Sequence, residues 1–278
     1  MNSIGIIQMT SGSEPEKNVA FIDVQLKQLA KEGAQLVLMP ENCLVFGSKA
    51  DYRLHAEPLD TGIIQQQLSA MAKRYNLWLI IGSMPIIRGN QISATCLVIN
   101  SNGERTAYYD KLHMFDADVE DKQGRYRESE IFQAGNDVVV VDTPVGKVGL
   151  AICYDIRFPQ LFLELAAKGA QIISLPAAFT VPTGEAHWSV LMRARAIESQ
   201  CWIIASAQTG QHPCGRETWG HSMIVSPWGK VTQQLGREVG VLQGHIDHRI
   251  TNSVRNNMPL SKHARFHSEL KKLNKGNE

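Results

Sequence analysis

The chain reads as an α/β protein, a four-layer α-β-β-α sandwich with a pseudo-two-fold internal repeat, and three observations predict it. Short apolar runs alternate with amphipathic stretches of helical period. The order β-α-β-α-β-β occurs in the first half and again in the second. Matching segments also resemble one another in sequence. Gly33-Ala34-Gln35-Leu36-Val37-Leu38-Met39-Pro40 is echoed by Gly169-Ala170-Gln171-Ile172-Ile173-Ser174-Leu175-Pro176, and Ile4-Gly5-Ile6 by Val148-Gly149-Leu150. Trp78-Leu79-Ile80 is echoed by Trp202-Ile203-Ile204, and Leu97-Val98-Ile99 by Met223-Ile224-Val225. Four echoes in one order imply two β-α-β units whose sheets pack face to face with helices outside.

The elements follow in order. Residues 4–9 read as a buried strand. Residues 17–32 place Val19, Ile22, Leu26 and Leu29 on one helical face, closed by Gly33. Residues 36–39 form the next strand and 62–75 the next helix. Residues 77–81, 94–99 and 106–109 read as strands, the last two joined by an Asn102-Gly103 turn. Residues 110–135 show no clear period and read as a long loop over the sheet end. Residues 147–153 form a strand that ends at Cys153. The expected organisation is one domain over residues 1–260 and a polar, basic tail over 261–278, carrying Lys262, Arg265, Lys271, Lys272 and Lys275. That tail is read as a solvated segment or a docking arm for a second subunit.

Composition narrows the function. At 278 residues and 44% hydrophobic, the chain can bury a large core. A net charge of +1 gives no reason to expect nucleic acid or an anionic membrane as partner. Five cysteines without a C-x-x-C pair suit reduced thiols and a cytoplasmic location. The opening MNSIGIIQMTSG reads as a first strand, not a signal peptide. No apolar run approaches the about 20 residues of a membrane span.

Ligands in such sheets sit beyond the carboxyl ends of strands, where Glu41 (after Pro40) and Cys153 both fall. Cys153, before Tyr154-Asp155-Ile156-Arg157-Phe158-Pro159, is either a nucleophile with backbone N–H groups, Tyr154's among them, as an oxyanion hole, or an inert buried thiol. A thiol nucleophile needs a base or a cationic neighbour, yet none of the nine histidines sits in a local motif with Cys153. Glu41 is a candidate base or a loop cap. Lys111, after Tyr108-Tyr109-Asp110, suits oxyanion stabilisation or a plain surface position. Glu128 carries the same two readings.

Three blocks bring these residues together: Met39-Pro40-Glu41-Asn42, Tyr109-Asp110-Lys111-Leu112-His113-Met114-Phe115-Asp116 and Ile152-Cys153-Tyr154-Asp155-Ile156-Arg157-Phe158-Pro159. In them the chain resembles the nitrilase (carbon–nitrogen hydrolase) superfamily, Nit branch, over about residues 3–260. The resemblance implies the nitrilase-like sandwich, no metal or cofactor, and a homodimer. It implies Glu41 as general base, Lys111 with the Tyr154 N–H as oxyanion stabiliser, Glu128 as the glutamate that positions substrate and lysine, and Cys153 as the nucleophile that forms a thioester.

A narrower resemblance, to the deaminated glutathione amidases, lies in Phe179-Thr180-Val181-Pro182-Thr183-Gly184-Glu185-Ala186-His187-Trp188, Arg193-Ala194-Arg195-Ala196-Ile197-Glu198 and Trp219-Gly220-His221-Ser222-Met223-Ile224-Val225-Ser226-Pro227-Trp228-Gly229. It implies a carboxylate-bearing amide cut to 2-oxoglutarate and cysteinylglycine, with ω-amidase activity on 2-oxoglutaramate as the alternative. Arg157 is the candidate anion anchor, or else a structural partner of Asp155 or the helix. Thr180, Thr183 and His187 are candidate pocket residues, or else a helix cap at Thr183 and plain packing. Arg193, Arg195 and Glu198 are read as knitting the fold or the subunits together. The stretch Asp118-Val119-Glu120-Asp121-Lys122-Gln123 departs from the commonest family pattern, which leaves specificity open. Two rivals remain at this point: a non-catalytic ligand-binding member of the fold, and a thiol-redox role.

Overall fold

A computed structural model describes residues 2–273; Lys275 of the basic tail lies outside the described residues. The first half contributes β1 (Asn2–Gln8), α1 (Pro15–Lys31), β2 (Leu36–Leu38), α2 (Lys49–Leu54), α3 (Ile63–Tyr75), β3 (Trp78–Arg88), β4 (Gln91–Ile99) and β5 (Arg105–Asp110). A small hairpin, β6 (Asp116–Asp118) and β7 (Arg125–Arg127), leads to β8 (Val140–Thr143) and β9 (Gly146–Leu150). The second half continues with α4 (Pro159–Ala167), β10 (Ile172–Ala177), α5 (Val181–Ser199), β11 (Trp202–Ala207), β12 (Thr209–Gln211), β13 (Glu217–Trp219), β14 (Met223–Val225), β15 (Val231–Gln234) and β16 (Gly240–Ile246). Two helices close it, α6 (His248–Asn257) and α7 (Leu260–His263).

Two six-stranded sheets carry the repeat. Their orders are β16-β1-β2-β3-β4-β5 and β8-β9-β10-β11-β14-β15, so each echo found in the sequence joins strands at equivalent places. In both sheets the three central strands run parallel and the flanking ones antiparallel. The edge strands break the symmetry. β8 immediately precedes its neighbour β9, whereas β16 returns from the far end of the sequence to pair with β1, Asn2 opposite Ile246.

The apolar runs are continuous where the central strands are buried on both faces. In the first sheet Ile4, Ile6, Leu36, Leu38, Ile80 and Val98 join the core shared with the second sheet. Their alternate neighbours Ile7, Val37, Leu79, Ile81, Leu97 and Ile99 pack against Val19, Ile22, Leu26 and Leu29 of α1 and Leu68 and Met71 of α3. Helices α4 and α5 cover the outer face of the second sheet through Leu161, Phe162, Leu165, Trp188 and Met192. The layers are therefore α-β-β-α. Gly33 (φ 84°) adopts the left-handed conformation that ends α1. None of the described helices is long and apolar enough to cross a membrane.

Three local expectations are corrected. Residues 110–135 are not a long loop: β6 and β7 pair with Asp116 opposite Arg127, and Glu128–Glu130 forms a 3-10 turn. The apolar pattern also gives no sign of an irregularity inside β3. The β3–β4 register shifts between Ile81 and Met84, and the bulge carries Gly82 and Ser83. Finally, the strand expected over 147–153 stops at Leu150, and Cys153 instead opens a 3-10 turn, Cys153–Arg157. Beyond β16, α6 is docked: Arg255 donates to the Ala170 carbonyl (2.8 Å) and Gln200 to that of Met258 (2.6 Å).

The bulge brings the β3 backbone against the Met39-Pro40 carbonyls, and a Cβ on Gly82 would stand 2.2 Å from both oxygens. Because these are backbone atoms, they cannot swing aside. Gly82→Ala is expected to destabilise the protein by about 1–3 kcal/mol, read as a fall in the midpoint of thermal unfolding; an unchanged midpoint would remove this account of the bulge.

Candidate active site

The three blocks of the sequence converge at the carboxyl ends of β2, β5 and β9. Glu41 follows β2, Lys111 follows β5, and Cys153 follows β9. Lys111 lies 1% exposed, and its Nζ donates to Glu41 Oε1 (2.8 Å) and to Glu128 Oε1 and Oε2 (2.9 and 2.8 Å). Glu41 is 4% and Cys153 8% exposed. All four line one cavity of about 460 Å³.

Each side chain is aimed by a separate local device. Lys111 is held by its backbone, donating to the Ala94 carbonyl (3.0 Å) and accepting from Gly135 N–H (2.8 Å). Glu41 sits between two anchors. Asn42, in a left-handed conformation (φ 55°), donates its N–H to Ser83 Oγ in the bulge (2.8 Å), and Gln208 Nε2 donates to the Glu41 carbonyl (2.9 Å). Gln208 also bonds Ser11 through both ends of its amide (3.1 and 2.7 Å), and Met9 bridges to Gln208 across the two sheets. Glu128 Oε2 accepts the Phe115 N–H as well (2.7 Å), so its carboxylate has little freedom.

Cys153 has φ 46°, a conformation that costs a non-glycine residue about 1–3 kcal/mol. Asp155, with no exposure, overdetermines it. One of its oxygens accepts from Ile152 N–H (2.8 Å) and the Tyr109 hydroxyl (2.7 Å), and the other meets His113 N–H (3.2 Å) and Nδ1 (2.7 Å). A single buried carboxylate thus ties the turn bearing the thiol to the segment bearing Lys111. Its buried carboxylate would be costly without these donors. The sequence reading paired Asp155 with Arg157 as an alternative; the observed partners are Tyr109 and His113. Asp155 and Gln208 were both missed as organisers. Asp155's place two residues past the cysteine was the one available signal.

The electrostatics follow from this crowding. Burial alone would lower the Lys111 pKa, but Glu128 and Glu41 outweigh it and hold the ammonium well above its usual range. Burial raises the Glu128 carboxyl despite the adjacent Lys111. Burial, followed by the Glu41 charge, pushes the Cys153 thiol well above 9.0, with Lys111 and the Ala178 N–H opposing. The resting sulfur is therefore a protonated thiol beside a carboxylate, an arrangement that calls for proton transfer during attack.

The four residues expected to bind substrate lie elsewhere. Arg157, Thr180, Thr183 and His187 are not among the residues lining the cavity that holds Cys153. Arg157 lies over the Phe179 and Tyr154 rings (5.5 and 5.8 Å) and meets exposed His187 at Nδ1 (3.2 Å). Thr180, not Thr183, is the N-cap of α5, and the two hydroxyls bond each other (2.8 Å). Ala178, just before α5, does line the cavity, whereas Thr180, Thr183 and His187 do not. The cavity wall is made mainly by the 42–52 segment, the β6–β7 hairpin with its 3-10 turn, and the turn before β13. Tyr154 turns its ring edge to Phe115 (5.0 Å). Arg193 and Arg195 bond the Gly229 and Ile156 carbonyls (2.9 and 2.7 Å), and Arg195 also pairs with Glu198, in keeping with the fold-knitting role expected for that helix face.

A profile of the carbon–nitrogen hydrolase family matches residues 3–256. The chain belongs to the carbon–nitrogen hydrolase family. It is 49% identical over 271 residues to a Yersinia enterocolitica protein named deaminated glutathione amidase, covering 96% of this chain and 94% of that one. It is 34% identical to the chloroplastic omega-amidase of Arabidopsis thaliana, over 95% of this chain and 72% of the relative. Among solved structures, the NitFhit protein of C. elegans superposes with a TM-score of 0.87 at 37% identity, over 95% of this chain and 65% of that longer one. The fold expected of a nitrilase relative is thus the fold observed.

A raised thiol pKa makes a spectroscopic prediction. Between about pH 6 and pH 8, the 240 nm absorbance of the protein minus that of its Cys153→Ala variant should stay flat, because the folded-state thiol keeps its proton through that window. A thiolate step near neutral pH would contradict the electrostatic account.

Proposed function

We propose that this carbon–nitrogen hydrolase cleaves a small carboxylate-bearing amide through a thioester on Cys153, with deaminated glutathione as substrate and 2-oxoglutarate and cysteinylglycine as products. Cys153 Sγ attacks the amide carbon as Glu41 takes the thiol proton. The tetrahedral oxyanion is met by the Lys111 ammonium and the Tyr154 N–H. Glu41 then gives its proton to the leaving nitrogen, the C–N bond breaks, and the thioester remains. Glu41 next takes a proton from water, whose oxygen attacks the thioester carbon. As the C–S bond breaks, the sulfur recovers that proton. Glu128 holds Lys111 in place throughout and so keeps the cation aimed at the developing charge.

The observation that carries this reading is the single buried ammonium shared by the Glu41 and Glu128 carboxylates in the cavity that also holds the thiol. A binding module has no need of that set. The substrate assignment draws on the name of the Yersinia enterocolitica relative at 49% identity. A second reading, ω-amidase activity on 2-oxoglutaramate, is favoured by the Arabidopsis thaliana relative. The two substrates share an acyl half, so the thioester would be the same. The proposal extends to one hydrolase domain over residues 1–260 with a basic tail over 261–278, a homodimer, and a cytoplasmic location.

The test is a panel assay of amine and ammonia release with deaminated glutathione beside 2-oxoglutaramate, on the parent protein and on Cys153→Ala and Glu41→Gln. Each variant should lose roughly 10⁴-fold or more in kcat, and rapid quench followed by mass spectrometry should find the substrate's acyl group on Cys153. Full turnover by Cys153→Ala would end the proposal. Absence of any acylated Cys153 together with tight ligand binding would favour a non-catalytic role.

A further inference from the structure

We infer that Arg216 reads the carboxylate on the acyl half of the substrate and sets the preference of this site for anionic amides. The inference rests on the reading of the site as a hydrolase for carboxylate-bearing amides.

An electrostatic imbalance motivates it. Lys111 is shared between Glu41 and Glu128, so two acidic groups beside the thiol face a single cation. A carboxylate-bearing amide entering this enclosed site meets repulsion at low effective dielectric unless a cation faces it. The cavity wall carries four further cations, and three already face a carboxylate: exposed Lys49 and Arg125 share Glu130, and Arg127 pairs with Asp118. Arg216 is the fourth. Among the described residues it has no carboxylate partner, while its neighbour Glu217 is taken by Arg237.

Arg216 is also mounted as a binding group would be. Its guanidinium lies over the Phe46 ring at 4.6 Å and the Tyr126 ring at 5.2 Å, and the side chain is half-buried. Phe46 is itself backed by His212, stacked at 3.9 Å and 17°. That imidazole cannot drift, because its nitrogens meet Ser11 O and Thr218 Oγ1 (each 2.8 Å), and burial drops its pKa to about 4, so it stays neutral beside the cation. The Arg216 carbonyl accepts from His212 N–H (2.8 Å), which fixes the backbone too. The two rings flank the guanidinium, and its N–H donors take no carboxylate among the described residues, so they can meet one on the substrate. An anchor on the acyl half acts in both half-reactions, because the thioester keeps that half bound after the amine has left.

The alternative is that Arg216 only braces the β6–β7 hairpin against Phe46. Kinetics with charged and neutral substrates separates the two roles. Arg216→Gln and Arg216→Lys are compared with the parent on deaminated glutathione, on 2-oxoglutaramate (whose only carboxylate is on the acyl half) and on the methyl ester of 2-oxoglutaramate. For Arg216→Gln, kcat/KM should fall about 100-fold on both anionic substrates and less than about threefold on the ester. Arg216→Lys should recover part of the loss, and inhibition by 2-oxoglutarate should weaken in step with it. An equal loss on all three substrates would make Arg216 a brace and overturn the inference. So would a loss confined to deaminated glutathione, which would move the contact to the leaving half, or no loss at all. If the parent protein itself showed no preference for anionic amides, the substrate reading would fail, and that result is read without any variant.

Discussion

Two carboxylates compete for one ammonium, and the site is organised by that competition. Lys111 is buried almost completely, and a lone ammonium there would lose its charge. Glu41 and Glu128 keep it protonated, at the cost of desolvating three ionic groups in one place. Removing Lys111 from such a buried set would cost about 3–5 kcal/mol, because the two carboxylates would be left without their cation. Charge balance and catalytic geometry are therefore the same constraint. A lysine held by two acceptors cannot wander, and a glutamate that leans on that lysine points at the thiol's surroundings.

That arrangement spends stability that the core supplies. Cys153 and Asn42 both sit in left-handed conformations, and the chain around them is held by Asp155, Gln208, Ser83 and the Gly82 bulge. Local strain of this kind persists only where the surroundings overdetermine it. The twin sheets provide the surroundings: their carboxyl ends meet where Met9 bridges to Gln208, and the Gln208 side chain carries the link on to the Glu41 backbone.

The layers were legible in the sequence because they rest on periodicity. Val19, Ile22, Leu26 and Leu29 mark a helix by spacing alone, and the paired Pro40 and Pro176 segments announce the repeat. Glu41, Lys111 and Cys153 were legible as a set only through the flanks that resemble the family. The walls of the cavity were not. The strands β6 and β7 are three residues each and mostly charged, with Tyr126 alone buried, so they show no apolar alternation. α2 has six residues, too few for a helical period, and its one signal is the Ser48–Asp51 capping box. Arg157 drew attention by its closeness to the nucleophile in the chain, whereas Arg216 gains its setting from Phe46, Tyr126 and His212, which spacing along the chain does not connect.

The return of β16 to pair with β1 has a consequence for biosynthesis. A polypeptide leaving the ribosome can assemble the inner strands of its first sheet early, yet the outer edge of β1 stays uncovered until Ile246 has emerged. During that interval a row of unsatisfied backbone donors and acceptors on an apolar strand is open to any other extended segment. The second sheet is spared this, since β8 is synthesised just before the strand it covers. The early half of the molecule is thus the part that most needs protection from premature association, and the last strand made is what releases it from that need.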